Sequence, residues 1–96
     1  MGEELAGAGE IPVGGGKIFD KQRVVVTQPI AGEFKAFSAI CTHSGCVVSA
    51  VNDGVIVCAC HGSLFSASDG SVKNGPATEP LPARTVALRG QNLYLQ

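Results

Sequence analysis

The 96-residue sequence predicts an all-β domain, a small antiparallel sandwich or barrel. Three observations lead there. The apolar residues come in short runs rich in Val, Ile and Phe, side chains that suit a pleated, half-buried surface. Turn residues interrupt these runs throughout: Ala31-Gly32-Glu33, Asn52-Asp53-Gly54, Ser68-Asp69-Gly70, Asn74-Gly75-Pro76 and Gly90-Gln91-Asn92. No stretch carries the apolar period of a helix of normal length, and neither heptads nor an internal repeat are visible.

Residues 1–10 are rich in Gly and Ala, lack periodicity and read as a flexible lead-in; the domain itself is expected over residues 11–96. Lys17-Ile18-Phe19 and Arg23-Val24-Val25-Val26-Thr27 are the first strands expected. The next runs from Phe34 to Ile40 and ends at a segment bearing Cys and His. Val47–Val51 and Val55–Cys58 flank Asn52-Asp53-Gly54, and Asp-Gly between apolar runs signals a hairpin because its turn needs positive φ. A last hairpin is expected between Arg84–Arg89 and Leu93–Gln96, with Val86 and Leu88 alternating against Thr85 and Ala87.

A chain of this length builds one small core without an elaborate active-site cavity. Seven basic and eight acidic residues are scattered, with no Lys/Arg block, so the electrostatic footprint of a nucleic-acid binder is absent. The longest apolar stretches, Val24–Val26 and Val55–Cys58, are far too short to cross a bilayer. The amino terminus shows no signal peptide, so membrane association is expected only through a segment absent from this chain.

The chemistry is concentrated in two segments, Cys41-Thr42-His43-Ser44-Gly45-Cys46 and Cys58-Ala59-Cys60-His61-Gly62-Ser63, which contain all four cysteines and both histidines. Thiolates and imidazoles are the usual soft and borderline ligands of iron and zinc, so a metal centre is expected. The predicted hairpin connects the two segments, and its register can bring their tips together. Zinc remains an alternative, although C-x-H-x-x-C with C-x-C-H matches no common finger or ribbon spacing. The plant-type iron–sulfur spacing fails after its first interval, because Cys58-Ala59-Cys60 does not continue it.

With this pair of motifs the chain resembles the Rieske iron–sulfur proteins, from about Ile11 to the carboxyl terminus, and within them the disulfide-bearing, cytochrome bc/b6-f-like bacterial type. The resemblance implies a Rieske fold, with a cluster-binding subdomain formed by two loops, and one [2Fe–2S] cluster. It places Cys41 and Cys58 on one iron and His43 and His61 on the other. Imidazole ligation raises the potential of this class to about −150 to +300 mV, against about −400 mV for all-cysteine ferredoxins. Exposed imidazoles would couple electron uptake to proton uptake, giving a potential that falls with pH in the alkaline range.

The resemblance also assigns Cys46 and Cys60 to a disulfide that ties the loops together, which soluble oxygenase ferredoxins lack. A disulfide implies an oxidising compartment, the periplasm or the outer face of the cytoplasmic membrane. In His61-Gly62-Ser63, Ser63 matches the family serine that donates to a bridging sulfide. Phe65 stands where high-potential members carry a tyrosine, so a potential below the top of the range is expected, one hydrogen bond being worth roughly 1 kcal/mol. Gly75-Pro76-Ala77 resembles the proline loop covering the cluster. The implied function is one-electron transfer, as a component of an oxidoreductase and not an enzyme by itself. The partner is a cytochrome of c or b type or a catalytic large subunit, with quinol contacted through a complex. A relay subunit such as that of arsenite oxidase, or a ferredoxin serving an oxygenase, is the alternative.

Overall fold

In a computed structural model, which describes residues 2–43 and 45–96, the chain forms eleven strands in three antiparallel sheets. In chain order they are β1 (Glu3–Gly7), β2 (Gly16–Phe19), β3 (Val24–Ile30), β4 (Glu33–Ser38), β5 (Ala50–Asn52), β6 (Val55–Cys58), β7 (Ser63–Ser66), β8 (Val72–Asn74), β9 (Ala83–Arg84), β10 (Val86–Arg89) and β11 (Asn92–Leu95). The sheets run β1-β11-β10, β2-β3-β4-β9 and β5-β6-β7-β8. The described residues contain no α-helix, and a 3-10 turn covers Ala8–Glu10. The all-β expectation holds.

The sheet β2-β3-β4-β9 is the middle layer. Side chains alternate across a strand, so Val25 and Phe37 face one neighbour while Val24, Val26 and Ala36 face the other. Val25 and Phe37 join Ile56, Phe65, Ala67, Leu81, Cys41 and Cys58 in one core; Val24, Val26 and Ala36 join Ile11, Leu93 and Leu95 in a second. Burial on both faces explains why Val24-Val25-Val26 is a continuous apolar run and not an alternating one. The buried Thr27 hydroxyl donates to the Ala67 carbonyl at 2.7 Å and ties the middle sheet to the residue that follows β7.

The hairpin β5–β6 turns at Asp53-Gly54, with Asn52 opposite Val55. Both turn residues have positive φ, 49° and 78°, as expected of this dipeptide. Val47, expected within this strand, instead makes an isolated bridge to Ile40. The last hairpin is a residue tighter than expected, Arg89 pairing with Asn92 around Gly90-Gln91.

Two further expectations need correction. Residues 3–7 are not a flexible lead-in: they form β1, paired antiparallel with β11 from Glu3 opposite Leu95 to Gly7 opposite Asn92, with Ala6 buried. The pairing at the opposite end of the chain, and not local propensity, makes this strand. Met1, also assigned to the lead-in, lies outside the described residues. The expected strand Arg84–Arg89 is broken at Thr85, so β9 pairs with β4 while β10 pairs with β11, and one segment joins two sheets.

Candidate metal centre

Two loops deliver the candidate ligands. The first runs from the end of β4 to β5; the second is the short connection between β6 and β7. Ser44 of the first loop lies outside the described residues. Cys41 and Cys58 are 2% and 1% exposed and belong to the first core. Their side chains are hydrogen-bonding neighbours, and the Cys58 sulfur also accepts the backbone N–H groups of Cys60 and His61. Burial pushes the Cys58 thiol above its ordinary value and the adjacent Cys41 adds to this, while the two N–H groups act in the opposite sense. Such a sulfur is poorly placed to ionise into water, yet it suits a metal that replaces its proton.

His43 and His61 are exposed, with ring centroids 4.9 Å apart and planes at 86°. The loops carrying them repeat one backbone device. Gly45 N–H reaches the Cys41 carbonyl at 2.9 Å, and Gly62 N–H reaches the Cys58 carbonyl at 3.0 Å. Both glycines are left-handed, φ 77° and 83°, a conformation that costs other residues about 1–2 kcal/mol. Gly62 therefore shapes the turn behind His61. Gly45, which sequence reasoning passed over, does the same in the first loop. The shared Cys-x-x-x-Gly interval was the signal that could have found it.

Cys46 and Cys60 form a disulfide, Cα atoms 6.5 Å apart, joining the two loops. The third loop, from Asn74 to Ala83, is tied to both. Ala77 N–H donates to the Ser63 hydroxyl at 3.0 Å, and the Thr42 hydroxyl donates to the Glu79 carbonyl at 2.6 Å. Each of the three loops is thus bonded to the other two. Gly75 and Pro76, joined by a cis peptide, are exposed, whereas Ala77 is buried beneath them. Thr42 was not singled out from sequence, because a hydroxyl between two candidate ligands gives no sign of a partner 37 residues away.

Ser63 and Phe65 have no exposed surface. Ser63 lies opposite Cys58 in the β6–β7 ladder, and Phe65 lies opposite Ile56 in the core that holds Cys41 and Cys58.

Among the described residues no three Cys, His, Asp or Glu side chains converge on one point. The donors come instead as a pair of buried sulfurs and a pair of exposed imidazoles. A tetrahedral zinc site gathers its ligands around one ion, whereas a binuclear cluster takes two at each end. The donor set fits the second.

The sequence model of the Rieske [2Fe-2S] domain family matches residues 3–86. The chain belongs to this family. The iron-sulfur subunit of the cytochrome b6-f complex of Chlorobaculum thiosulfatiphilum is 34% identical over 91 residues, covering 92% of this chain and 49% of that protein. A candidate respiratory nitrate reductase Rieske subunit of Haloferax mediterranei is 37% identical over 72 residues, 74% of this chain and 33% of that protein. The crystal structure of the plasma membrane Rieske protein PetC3 of the cyanobacterium Synechocystis PCC 6803 superposes with a TM-score of 0.71 at 34% identity, covering 86% of each chain. The Rieske domain described here therefore spans between a third and a half of the length of these two curated relatives. Membership brings with it one [2Fe–2S] cluster and a role in electron transfer, both as expected.

Proposed function

We propose that this Rieske domain carries single electrons as an extracytoplasmic redox subunit of a membrane-associated chain, of the quinol:cytochrome c type. The Cys46–Cys60 disulfide carries this reading, since such bonds persist in oxidising compartments. The likeness to a b6-f subunit and to a plasma membrane Rieske protein supports it.

In this reading Cys41 and Cys58 hold one iron as thiolates, and His43 and His61 hold the other. The cluster supplies a one-electron couple. The chain's own residues do the rest. The two imidazoles offer an exposed edge to a partner, and His61 receives the quinol hydroxyl there. Ser63 accepts the Ala77 N–H, which leaves its own proton to point at the centre. Gly75-Pro76-Ala77, held down through Ala77 and Glu79, keeps water from the buried sulfurs.

Anaerobic reconstitution tests the ligand set. Cys41→Ser, His43→Ala, Cys58→Ser and His61→Ala should each fail to retain the Rieske electron-spin signal, while a Cys46→Ser/Cys60→Ser double variant should retain it at lower stability. Retention of the signal by any of the four single variants would remove that residue from the set. Quinol–cytochrome c activity of the membrane complex tests the wider role. A second reading, a relay subunit of a multi-subunit oxidoreductase such as arsenite oxidase, is favoured by the nitrate reductase-type relative. Co-purification with a molybdenum-containing large subunit would decide for it. Service to an oxygenase as a ferredoxin is disfavoured by the disulfide.

A further inference from the structure

A loop of four residues, Asp20 to Arg23, joins β2 to β3, and Arg23 N–H closes it on the Asp20 carbonyl at 3.3 Å. Arg23 has φ 58°, in the left-handed region. Glycine takes this conformation without penalty, and Asn or Asp tolerates it through local side-chain bonds; arginine has neither advantage. The other described non-glycine residue with positive φ, Asp53, sits in an Asp-Gly turn where that conformation is ordinary. Arginine therefore stands where glycine would fold better, and strain of this kind tends to be kept where the side chain is used.

Its place in the fold suggests the use. The Arg23 carbonyl accepts the N–H of Ala39 at 2.9 Å, and Ala39 lies two residues before Cys41. Arg23 is thus fixed at the foot of the first ligand loop, with its side chain exposed. The three loops that meet at the metal centre carry one acidic residue, Glu79, and no Lys or Arg. The flanking cations Lys73 and Arg84 are each near an acid: Lys73 helps hold the Asp69 carboxyl below its ordinary value, and Arg84 lines a surface cavity together with Asp69. Asp20 and Lys21 share the loop with Arg23, yet the ion pair among the described residues is Lys17–Glu10, so the Arg23 guanidinium is not paired with Asp20.

We infer that Arg23 is a docking residue for the redox partner. Its guanidinium, exposed at the foot of the first ligand loop, pairs with a carboxylate on a partner that is acidic around its electron-accepting edge. The inference rests on the electron-carrier reading. In the step it serves, one electron leaves the reduced domain and reduces a ferric haem iron to ferrous, and no atom is transferred.

The test compares the loaded domain with its Arg23→Gly and Arg23→Lys variants. The probes are a c-type cytochrome of net negative charge and a basic c-type cytochrome. Arg23→Gly should raise Tm by about 4 °C through relief of the turn. It should also lower the rate of electron transfer to the acidic cytochrome about threefold at low ionic strength and flatten its salt dependence. Transfer to the basic cytochrome should become faster. Arg23→Lys should keep the wild-type rate and salt dependence without the gain in Tm. Equal rates to the acidic cytochrome in wild type and Arg23→Gly would overturn the docking role and leave the electron-carrier reading standing. A loaded domain that passes no electron to either cytochrome in any form would overturn both.

Discussion

The Ser63 hydroxyl accepts the backbone N–H of Ala77 at 3.0 Å, and both residues are buried. Because Ser63 also lies opposite Cys58 in the β6–β7 ladder, one hydroxyl connects the strand of a candidate ligand to the loop from Asn74 to Ala83. Removing it leaves a buried amide without an acceptor, which costs about 1–3 kcal/mol. Ser63→Ala should lower the stability of the loaded domain to urea by that amount and speed exchange of the Ala77 amide proton. It should also lower the reduction potential. Exchange at the wild-type rate would show that the Ser63–Ala77 bond does not hold this loop in solution.

The Cys46–Cys60 disulfide closes a short loop, with 14 residues of sequence separation. Chain-entropy arguments give such a cross-link about 3 kcal/mol. The Cys46→Ser/Cys60→Ser variant should unfold at correspondingly lower denaturant. In the unreduced, metal-free protein, mass analysis after alkylation should count two reactive thiols, those of Cys41 and Cys58. A count of four would contradict the bond.

Phe65 has no exposed surface and packs in the core that holds both candidate sulfur ligands. A phenolic hydroxyl added there is buried and must find an acceptor, and a ligand sulfur is the acceptor that the family resemblance assigns. Phe65→Tyr should therefore raise the potential by some tens of millivolts, as one hydrogen bond of roughly 1 kcal/mol to the reduced state would. Protein-film voltammetry of both forms checks this, and an unchanged or lower potential would place the hydroxyl elsewhere.

What was legible in the sequence, and what was not, follows the range of the interactions. Asp53-Gly54 announced its hairpin because the turn's demand for positive φ is local. The two Cys/His segments were legible because their residue types and spacing carry the chemistry directly. Glu3–Gly7 was not, since Leu5 and Ala6 form too short an apolar run to signal a strand and the partner, β11, lies at the other end of the chain. The Thr42–Glu79 tie was hidden for the same reason: nothing near Thr42 distinguishes its hydroxyl from that of a solvated loop residue. The break at Thr85 depends on which sheet each half can join, a choice made by tertiary packing.

The turn at Asp69-Gly70 gives a pH dependence with a definite sign. The Asp69 carboxylate accepts the Ser71 N–H at 2.9 Å, and Gly70 beside it offers its carbonyl to Leu81 N–H near the end of the loop from Asn74 to Ala83. Hydrogen bonds from Ser71 hold the Asp69 carboxyl below its ordinary value of 3.8, with smaller help from Ser66 and Lys73. A carboxyl lowered in the folded state stabilises the fold above its unfolded value, and that contribution is lost as pH falls through the folded value. Asp69→Asn keeps an oxygen acceptor but not the charge. The wild type should therefore melt above Asp69→Asn near neutral pH, and the gap should close as pH drops below the ordinary carboxylate range. Since the carboxylate is exposed, the gap should be small and should narrow further in high salt. Thermal melts of both proteins from pH 7 to pH 2 measure it; a gap that stays constant across that range would mean that Asp69 acts through shape alone.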